Sequence, residues 1–411
     1  MKHWILWFSF FWVLAPSASA LDLLVTGDIA GEIRPCGCSV EGQRGGIERL
    51  SAYLKQKQNR KKLWVDLGNY SVEPSPQGLL KNGLYHRLFK ENHLFAVLPG
   101  PKEFLTGKRG IAKWRNPYLL TNRGEVLAYT ERVKYRKGWQ FFGFLSPKML
   151  DSGSRRSGIL EGVSPFIERV RKLKTKERKA VLLFRGSLEE LRQVEKTRLF
   201  DRVILANLAT DEKKQVLEAK IGAKTYFSPP LQGQGVLEYN LEGNQGETHW
   251  LGPNSPLDRA WEKPFATYDK QVENLFFRFV ATENKKGDKR VYKGSAYCVN
   301  CHVKQGEVWS KSKHAHAFAS LEKESRQYDP DCVVCHTQGF KKGGFLSKEL
   351  SSGLENVGCE NCHGLVAENH GVDPEYKKNR VRVTAKTCQT CHRGNHSPKF
   401  NFDTYFPKIK H

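Results

Sequence analysis

Short apolar runs alternate with amphipathic stretches through the first two hundred residues. Residues 21–30 read LDLLVTGDIA, an apolar run ending in a Gly-Asp turn. Similar runs lie at 62–68 (KLWVDLG), 95–100 (FAVLPG), 141–145, 180–184 and 202–206. Each has the length of a short buried strand. Residues 46–56, 163–174 and 188–197 predict helices between them. Strands alternating with helices predict an α/β sheet domain. Gly252-Pro253-Asn254-Ser255-Pro256 breaks the pattern. Residues 269–281 (DKQVENLFFRFVA) then predict a helix, and 282–290 is a charged, exposed run. The divisions expected are 1–20 leader, 21–252 α/β domain, 253–290 linker carrying a helix, and 291–411 a separate C-terminal domain.

The first twenty residues stand outside this scheme. Lys2 gives a positive start, the apolar stretch from Ile5 to Ala15 is short for a bilayer span, and Ser17-Ala18-Ser19-Ala20 supplies small residues for a cut. Cleavage is expected after Ala20, with no transmembrane anchor left. No Cys stands at the cut, so a lipid anchor is not indicated. The mature protein is expected to be exported, to the periplasm or outer surface of a bacterium.

Composition narrows the class. Of 411 residues, 39% are hydrophobic, enough for a folded core and against wholesale disorder. The formal net charge of +24 favours acidic partners, but it is spread along the chain, and nucleic-acid binding is not expected.

The cysteines carry the chemistry. Eight of the ten fall in one pattern, repeated four times: Cys298-Val299-Asn300-Cys301-His302, Cys332-Val333-Val334-Cys335-His336, Cys359-Glu360-Asn361-Cys362-His363 and Cys388-Gln389-Thr390-Cys391-His392. C-x-x-C-H is the attachment pattern of c-type heme. Two thioethers hold one porphyrin and the adjacent His reaches its iron. A zinc site needs no His directly after the second Cys, so four covalently bound c-type hemes are expected, with His302, His336, His363 and His392 as proximal ligands. Only two Met occur, Met1 and Met149, so Met/His ligation is closed to the heme segment. Five further histidines are candidates for the distal positions: His314, His316, His370, His396 and His411. Mostly bis-His, low-potential hemes follow, with one iron left open. Porphyrins supplying the core imply short helices, few strands and much loop.

The order of features resembles the tetraheme cytochrome family that accepts electrons from hydroxylamine oxidoreductase. The likeness runs through Gly294-Ser295-Ala296-Tyr297-Cys298, Trp309 and Ser312-Lys313-His314-Ala315-His316-Ala317. It continues through Asp331-Cys332, Gly339-Phe340 with Gly343-Gly344, and Gly358-Cys359 to Gly364 with His370 beyond. That resemblance implies crossed ligation: His370 opposite His302, His314 opposite His363, and a five-coordinate heme on His336. For the heme on His392, His396 is too near in sequence to reach the opposite face, and His411 is preferred.

The N-terminal strand ends resemble the metallophosphoesterase fold of exported 5′-nucleotidases. The ligand positions are largely lost: Asp28 is followed by Ile29-Ala30 without a His, Asp66-Leu67-Gly68 ends in Asn69, and Gly100 is followed by Pro101-Lys102-Glu103. A two-metal site needs several such donors. The α/β metallophosphoesterase-like domain is therefore expected to be catalytically degenerate, joined to a mainly α/loop multiheme cytochrome c domain. Cys36 and Cys38, in Arg34-Pro35-Cys36-Gly37-Cys38, are a possible redox or soft-metal pair, or a plain disulfide or inert thiols.

The function expected is electron carriage between redox proteins with acidic surfaces. Two alternatives stand beside it: a heme enzyme reducing a small nitrogen oxide at an open iron on His336, and a metal-dependent phosphohydrolase with an attached cytochrome.

Overall fold

The computed structural model describes residues 21–35, 43–58, 62–72, 74–106, 113–124, 127, 130–156, 158–206, 216–286, 292–365, 370–372, 374–375, 381–393, 397 and 399–411. The leader, Cys36, Cys38 and His396 lie outside these residues.

The α/β part holds two sheets. The first comprises β1 (Asp22–Thr26), β2 (Leu63–Asp66), β3 (Ala96–Val97), β10 (Gly235–Asn240) and β11 (Gln245–Trp250). Its order is β11-β10-β1-β2-β3. β1, β2 and β3 are parallel, and β10 returns antiparallel beside β1. The second comprises β4 (Lys134–Arg136), β5 (Trp139–Leu145), β6 (Lys179–Arg185), β7 (Arg202–Leu205), β8 (Glu218–Ile221) and β9 (Lys224–Phe227). Its order is β4-β5-β6-β7-β9-β8. The inner strands are parallel and the edges antiparallel.

The near-continuous apolar runs of β5 and β6 follow from burial on both faces. Phe141 and Leu145 point into the core between the sheets, with Val25, Trp64 and Leu183. Phe142 and Phe144 point outward into a second cluster with Phe166, Val170 and Leu191 from the covering helices. Gly143 sits where a Cβ would lie 2.3 Å from the Leu119 carbonyl oxygen, so no larger residue fits.

Helix α1 (Ile47–Gln58) follows β1, and α2 (Pro76–Glu91) follows β2. α2 starts on a Ser75 cap that accepts the Gly78 N–H, with Pro76 at the first helical position. The sequence pattern did not reveal α2, β4 or β8 to β11. It overran β3, whose expected run of 95–100 shrinks to two paired residues.

The stretch 253–290 is more than a linker. Its helix, Glu262–Asn284, has 23 residues and is about 34 Å long. Trp261, Phe265, Tyr268 and Val272 are buried in the core between the sheets. Phe276 and Val280 are buried in the C-terminal core with Phe318, Leu321, Val333 and Phe340. One helix thus belongs to both cores. Arg34 clamps its outer side with two hydrogen bonds to Asp269, 2.7 and 2.8 Å.

The C-terminal part is a run of short helices and loops, as expected of a region whose core is not built by long elements. Among the described residues no helix is long and apolar enough to cross a membrane.

Candidate heme sites

Each C-x-x-C-H motif begins on a short helix or is one. The helices are Ser295–Val299, Pro330–His336, Cys359–His363 and Ala385–Cys388. The His302 N–H bonds the Cys298 carbonyl at 3.0 Å, and the His392 N–H bonds that of Cys388 at 2.9 Å. One helical turn therefore joins each first Cys to its His. Spacings of three and four place both sulphurs and the imidazole on one face. The second motif is the best capped: the Asp329 side chain accepts the Asp331 N–H and Pro330 opens the helix.

The histidines meet in pairs. His302 and His370 have ring centroids 5.9 Å apart at 25°. His314 and His392 stand 6.0 Å apart at 57°, and His363 and His411 5.8 Å apart at 50°. A first-row metal ion takes an imidazole nitrogen at about 2.0–2.1 Å, which puts two rings on opposite sides of one ion at roughly 6 Å between centroids. The three spacings fit one iron between each pair.

One of these pairs differs from the crossed ligation that the resemblance implied, and one from the preference for His411 opposite His392. His314 faces His392 rather than His363, and His411 faces His363 rather than His392. The terminal stretch explains the exchange. Phe400 stacks on the His392 ring at 5.0 Å and Tyr405 meets its edge at 5.7 Å. The chain then turns through Phe402–Tyr405 and carries His411 past the fourth motif to the third.

His336 stands apart. Among the described residues no histidine ring faces it as His370 faces His302. Its Nδ1 lies 2.7 Å from the Ala317 carbonyl oxygen, a contact only a protonated nitrogen can make. In the neutral imidazole, that leaves Nε2 as the nitrogen with a free lone pair. The same device recurs at His411, whose Nδ1 is 2.9 Å from the Ile409 carbonyl oxygen. His316 turns its Nε2 to the Ser310 carbonyl oxygen at 3.1 Å.

Electrostatics favour neutral imidazoles. Burial, helped by His392, pushes His314 below the usual histidine range. Burial and then His411 do the same to His363, and burial alone does so to His392. Neutral imidazole is the ligating form.

The sulphurs also come together across motifs. Burial, then the neighbouring Cys359, push the Cys298 thiol up to about 12. The neighbouring Cys391, then burial, push the Cys335 thiol up as well. Cys362 lies beside Cys388 and Cys391, and burial pushes its thiol up to about 11. Among the described residues no three His, Cys, Asp or Glu side chains gather as a metal cage would require. A groove of about 790 Å³, its solvent mouth included, runs between motifs one and three and is lined by Cys298, Cys359, Cys362, His302, His363 and His411.

Residues that the sequence pattern did not single out hold this arrangement. The buried Glu360 carboxylate accepts the N–H groups of Lys293 (3.1 and 3.0 Å) and Gly294 (2.9 Å), tying motif three to the start of motif one. The Trp309 indole donates to the Val357 carbonyl at 2.9 Å. At the second motif, Asp329 and Asp331 take Gln77 and Lys81 of α2.

Residues 297–364 match the family model for cytochrome c554 and c-prime. This part of the chain is a cytochrome c554-type domain. The match implies covalently bound c-type heme. Over 89 residues the chain is 37% identical to cytochrome c-554 of Nitrosomonas europaea, covering 18% of this chain and 38% of that protein. Over a further match of 89 residues it is 32% identical to the C-type polyheme cytochrome OmcB of Geobacter sulfurreducens, covering 20% of this chain and 12% of that one. The chain thus spans well under half the length of these relatives. In fold, the chain is similar to a 5′-nucleotidase precursor from Thermus thermophilus, at 15% identity and TM-score 0.49, covering 62% of this chain and 59% of that one. It is also similar to the sulfate thiohydrolase SoxB of the same organism, at 14% identity and TM-score 0.48, covering 61% and 60%.

The strand ends upstream of the cytochrome c554-type domain are closed by protein charges. Arg185, from the end of β6, holds both oxygens of Asp28 at 3.0 and 2.9 Å and donates to the Leu67 carbonyl at 2.7 Å. Asn69 donates to the same Asp28 at 2.8 Å. Asp66 is fully buried, accepts from Thr26 at 2.5 Å and from the Gly68 N–H at 2.8 Å, and is pushed up to about 7 by burial. The buried Glu103 carboxylate accepts three backbone N–H groups, from Asn69, Ser71 and Gly100. A guanidinium therefore neutralises the first acidic position, and the other two carboxylates are spent on backbone and hydroxyl donors.

Proposed function

We propose that this chain is an exported multiheme c-type cytochrome that passes electrons between redox proteins through four hemes. The observation that carries the reading is the set of three facing histidine pairs at 5.8 to 6.0 Å, with no histidine ring facing His336 among the described residues. These pairs support three bis-His irons and an open position at the iron on His336. His302 with His370 serves the first heme, His363 with His411 the third, and His392 with His314 the fourth. When bound, each heme supplies a one-electron iron couple. The chain's residues anchor it, set its axial ligands and wrap its edge. The all-nitrogen axial set keeps the potentials low.

The sulphur contacts support an order of electron flow. Cysteines of motif one influence those of motif three, those of four influence motif three, and those of four influence motif two. Electrons would pass 1–3–4–2, with the iron on His336 at one end. The basic surface would steer partners with acidic faces.

A second reading draws on the same open position: reduction of a small nitrogen oxide at the His336 iron. A phosphohydrolase is supported less well, because Arg185 takes the place of a cation beside Asp28.

Heme stoichiometry with oxidised and reduced spectra of the purified protein tests this reading. Four covalent hemes per chain, three low-spin and one high-spin, are expected. Absence of covalent heme would overturn it.

A further inference from the structure

We infer that Lys81 of the α/β part is a positioning residue for the second heme, holding Asp331 at the first turn of the motif helix and offsetting its charge. Through it the α/β part sets the potential of the iron on His336. This rests on the four-heme reading above.

Two polar contacts from α2 converge on one turn of the C-terminal part. Asp329 and Asp331 flank Pro330 at the start of Pro330–His336, the helix that carries Cys332, Cys335 and His336. The Gln77 amide donates to Asp329 at 2.8 Å and to the Tyr268 hydroxyl at 3.1 Å. The Lys81 ammonium donates to Asp331 at 2.7 Å. Both donors lie on α2, one turn apart, so they present together. Tyr328, just before this turn, packs on Phe276 and Phe277 of the bridging helix, with centroids 5.6 and 5.0 Å away. The helix that bears the second motif is thus held from two sides by elements of the first two hundred and eighty residues.

The ion pair is asymmetric. The Lys81 side chain is 16% exposed and that of Asp331 60%. An ammonium enclosed by protein is costly unless a counter-charge faces it. In solvent the same lysine would cost nothing, so its enclosure against Asp331 is a specific arrangement rather than a solvated surface charge. Its field acts through protein, where screening is weaker than in water. A positive charge disfavours the more positive, oxidised state of a nearby iron. Lys81 therefore raises the potential of the second heme, and Asp331 lowers it.

Four variants test this on the full-length holoprotein: Lys81→Gln, Asp331→Asn, the double variant, and Lys81→Arg. Spectroelectrochemical titration reads the potentials. The second heme is identified by difference against a Cys332→Ala/Cys335→Ala protein, whatever its spin state. Lys81→Gln is expected to shift the redox equilibrium of that heme about threefold to tenfold toward the oxidised state, a fall of about 30–60 mV at 59 mV per tenfold. Asp331→Asn is expected to move it the other way, the double variant to return near the wild type, and Lys81→Arg to stay there. A merely structural anchor would not give opposite signs that cancel. Equal shifts of all four hemes, shifts of one sign in both single variants, or no shift in either would overturn the inference. If the wild-type protein shows four hemes and no high-spin iron, the open-iron reading fails, while the Lys81 result still stands or falls on the difference titration.

Discussion

The imidazole of His411 stands 5.8 Å from that of His363, while that of His314 stands 6.0 Å from His392. On the proposed four-heme reading, each of these rings would share an iron with the partner it faces. On that reading, the last segment of the chain would be a ligand arm for the third motif, and the His314 turn would serve the fourth.

This pairing predicts which heme changes when each arm is removed. His411→Ala is expected to convert one low-spin heme to high-spin, and that heme is the one on Cys359 and Cys362. In a Cys388→Ser/Cys391→Ser background, which lacks the fourth heme, His411→Ala should still produce the conversion. Electron paramagnetic resonance of the two proteins checks it. Failure in that background would place His411 on the fourth heme instead.

Asp28 and Arg185 form a largely buried ion pair at the strand ends. Breaking such a pair from one side leaves an uncompensated charge, at a cost of about 3–5 kcal/mol. Arg185→Met is expected to destabilise the α/β part by about this amount, while Asp28→Asn/Arg185→Met recovers most of it. Denaturant titration followed by tryptophan fluorescence gives both values.

Asp66 gives the stability a pH dependence. Burial raises its folded pKa to about 7, above the ordinary carboxylate value. Between those values the folded state holds a proton that the unfolded state has released. Its contribution is complete below the unfolded pKa and is lost as pH rises through about 7. Asp66→Asn, which needs no proton, should flatten the fall in stability between about pH 4 and pH 7. Denaturation midpoints across that range, compared with the wild type, measure the difference.

The bridging helix predicts cooperativity between the two parts. Phe276 is buried beneath Tyr328 and Phe340, with a stacked contact of 5.9 Å to Phe340. Phe276→Ala is expected to cost about 3–5 kcal/mol. Because Phe265 and Tyr268 on the same helix belong to the other core, heme-region and tryptophan probes should report coincident transitions in the wild type. Two well-separated transitions would show that the helix does not couple them.

Much of the chemistry is local and was legible in the residues themselves. Two cysteines and a histidine at spacings of three and four must share one face of a helical turn, so the attachment motifs need no tertiary information. The absence of Met from the heme segment likewise restricts the axial ligands without any structure. The buried strands β5 and β6 announced themselves because a strand covered on both faces must be apolar at nearly every position.

Tertiary packing decided what joins residues far apart in the chain. Which distal histidine meets which motif depends on the path of the terminal segment around Phe400 and Tyr405, and spacing along the chain does not encode that path. The meeting of Asp28 with Arg185, which closes the strand ends, requires β1 and β6 to lie in facing sheets. The reach of Lys81 and Gln77 to the second motif requires α2 to lie against a helix whose two halves enter different cores. Local sequence sets what each segment can do within a few residues. The burial of apolar faces sets which segments meet, and it is a property of the whole fold.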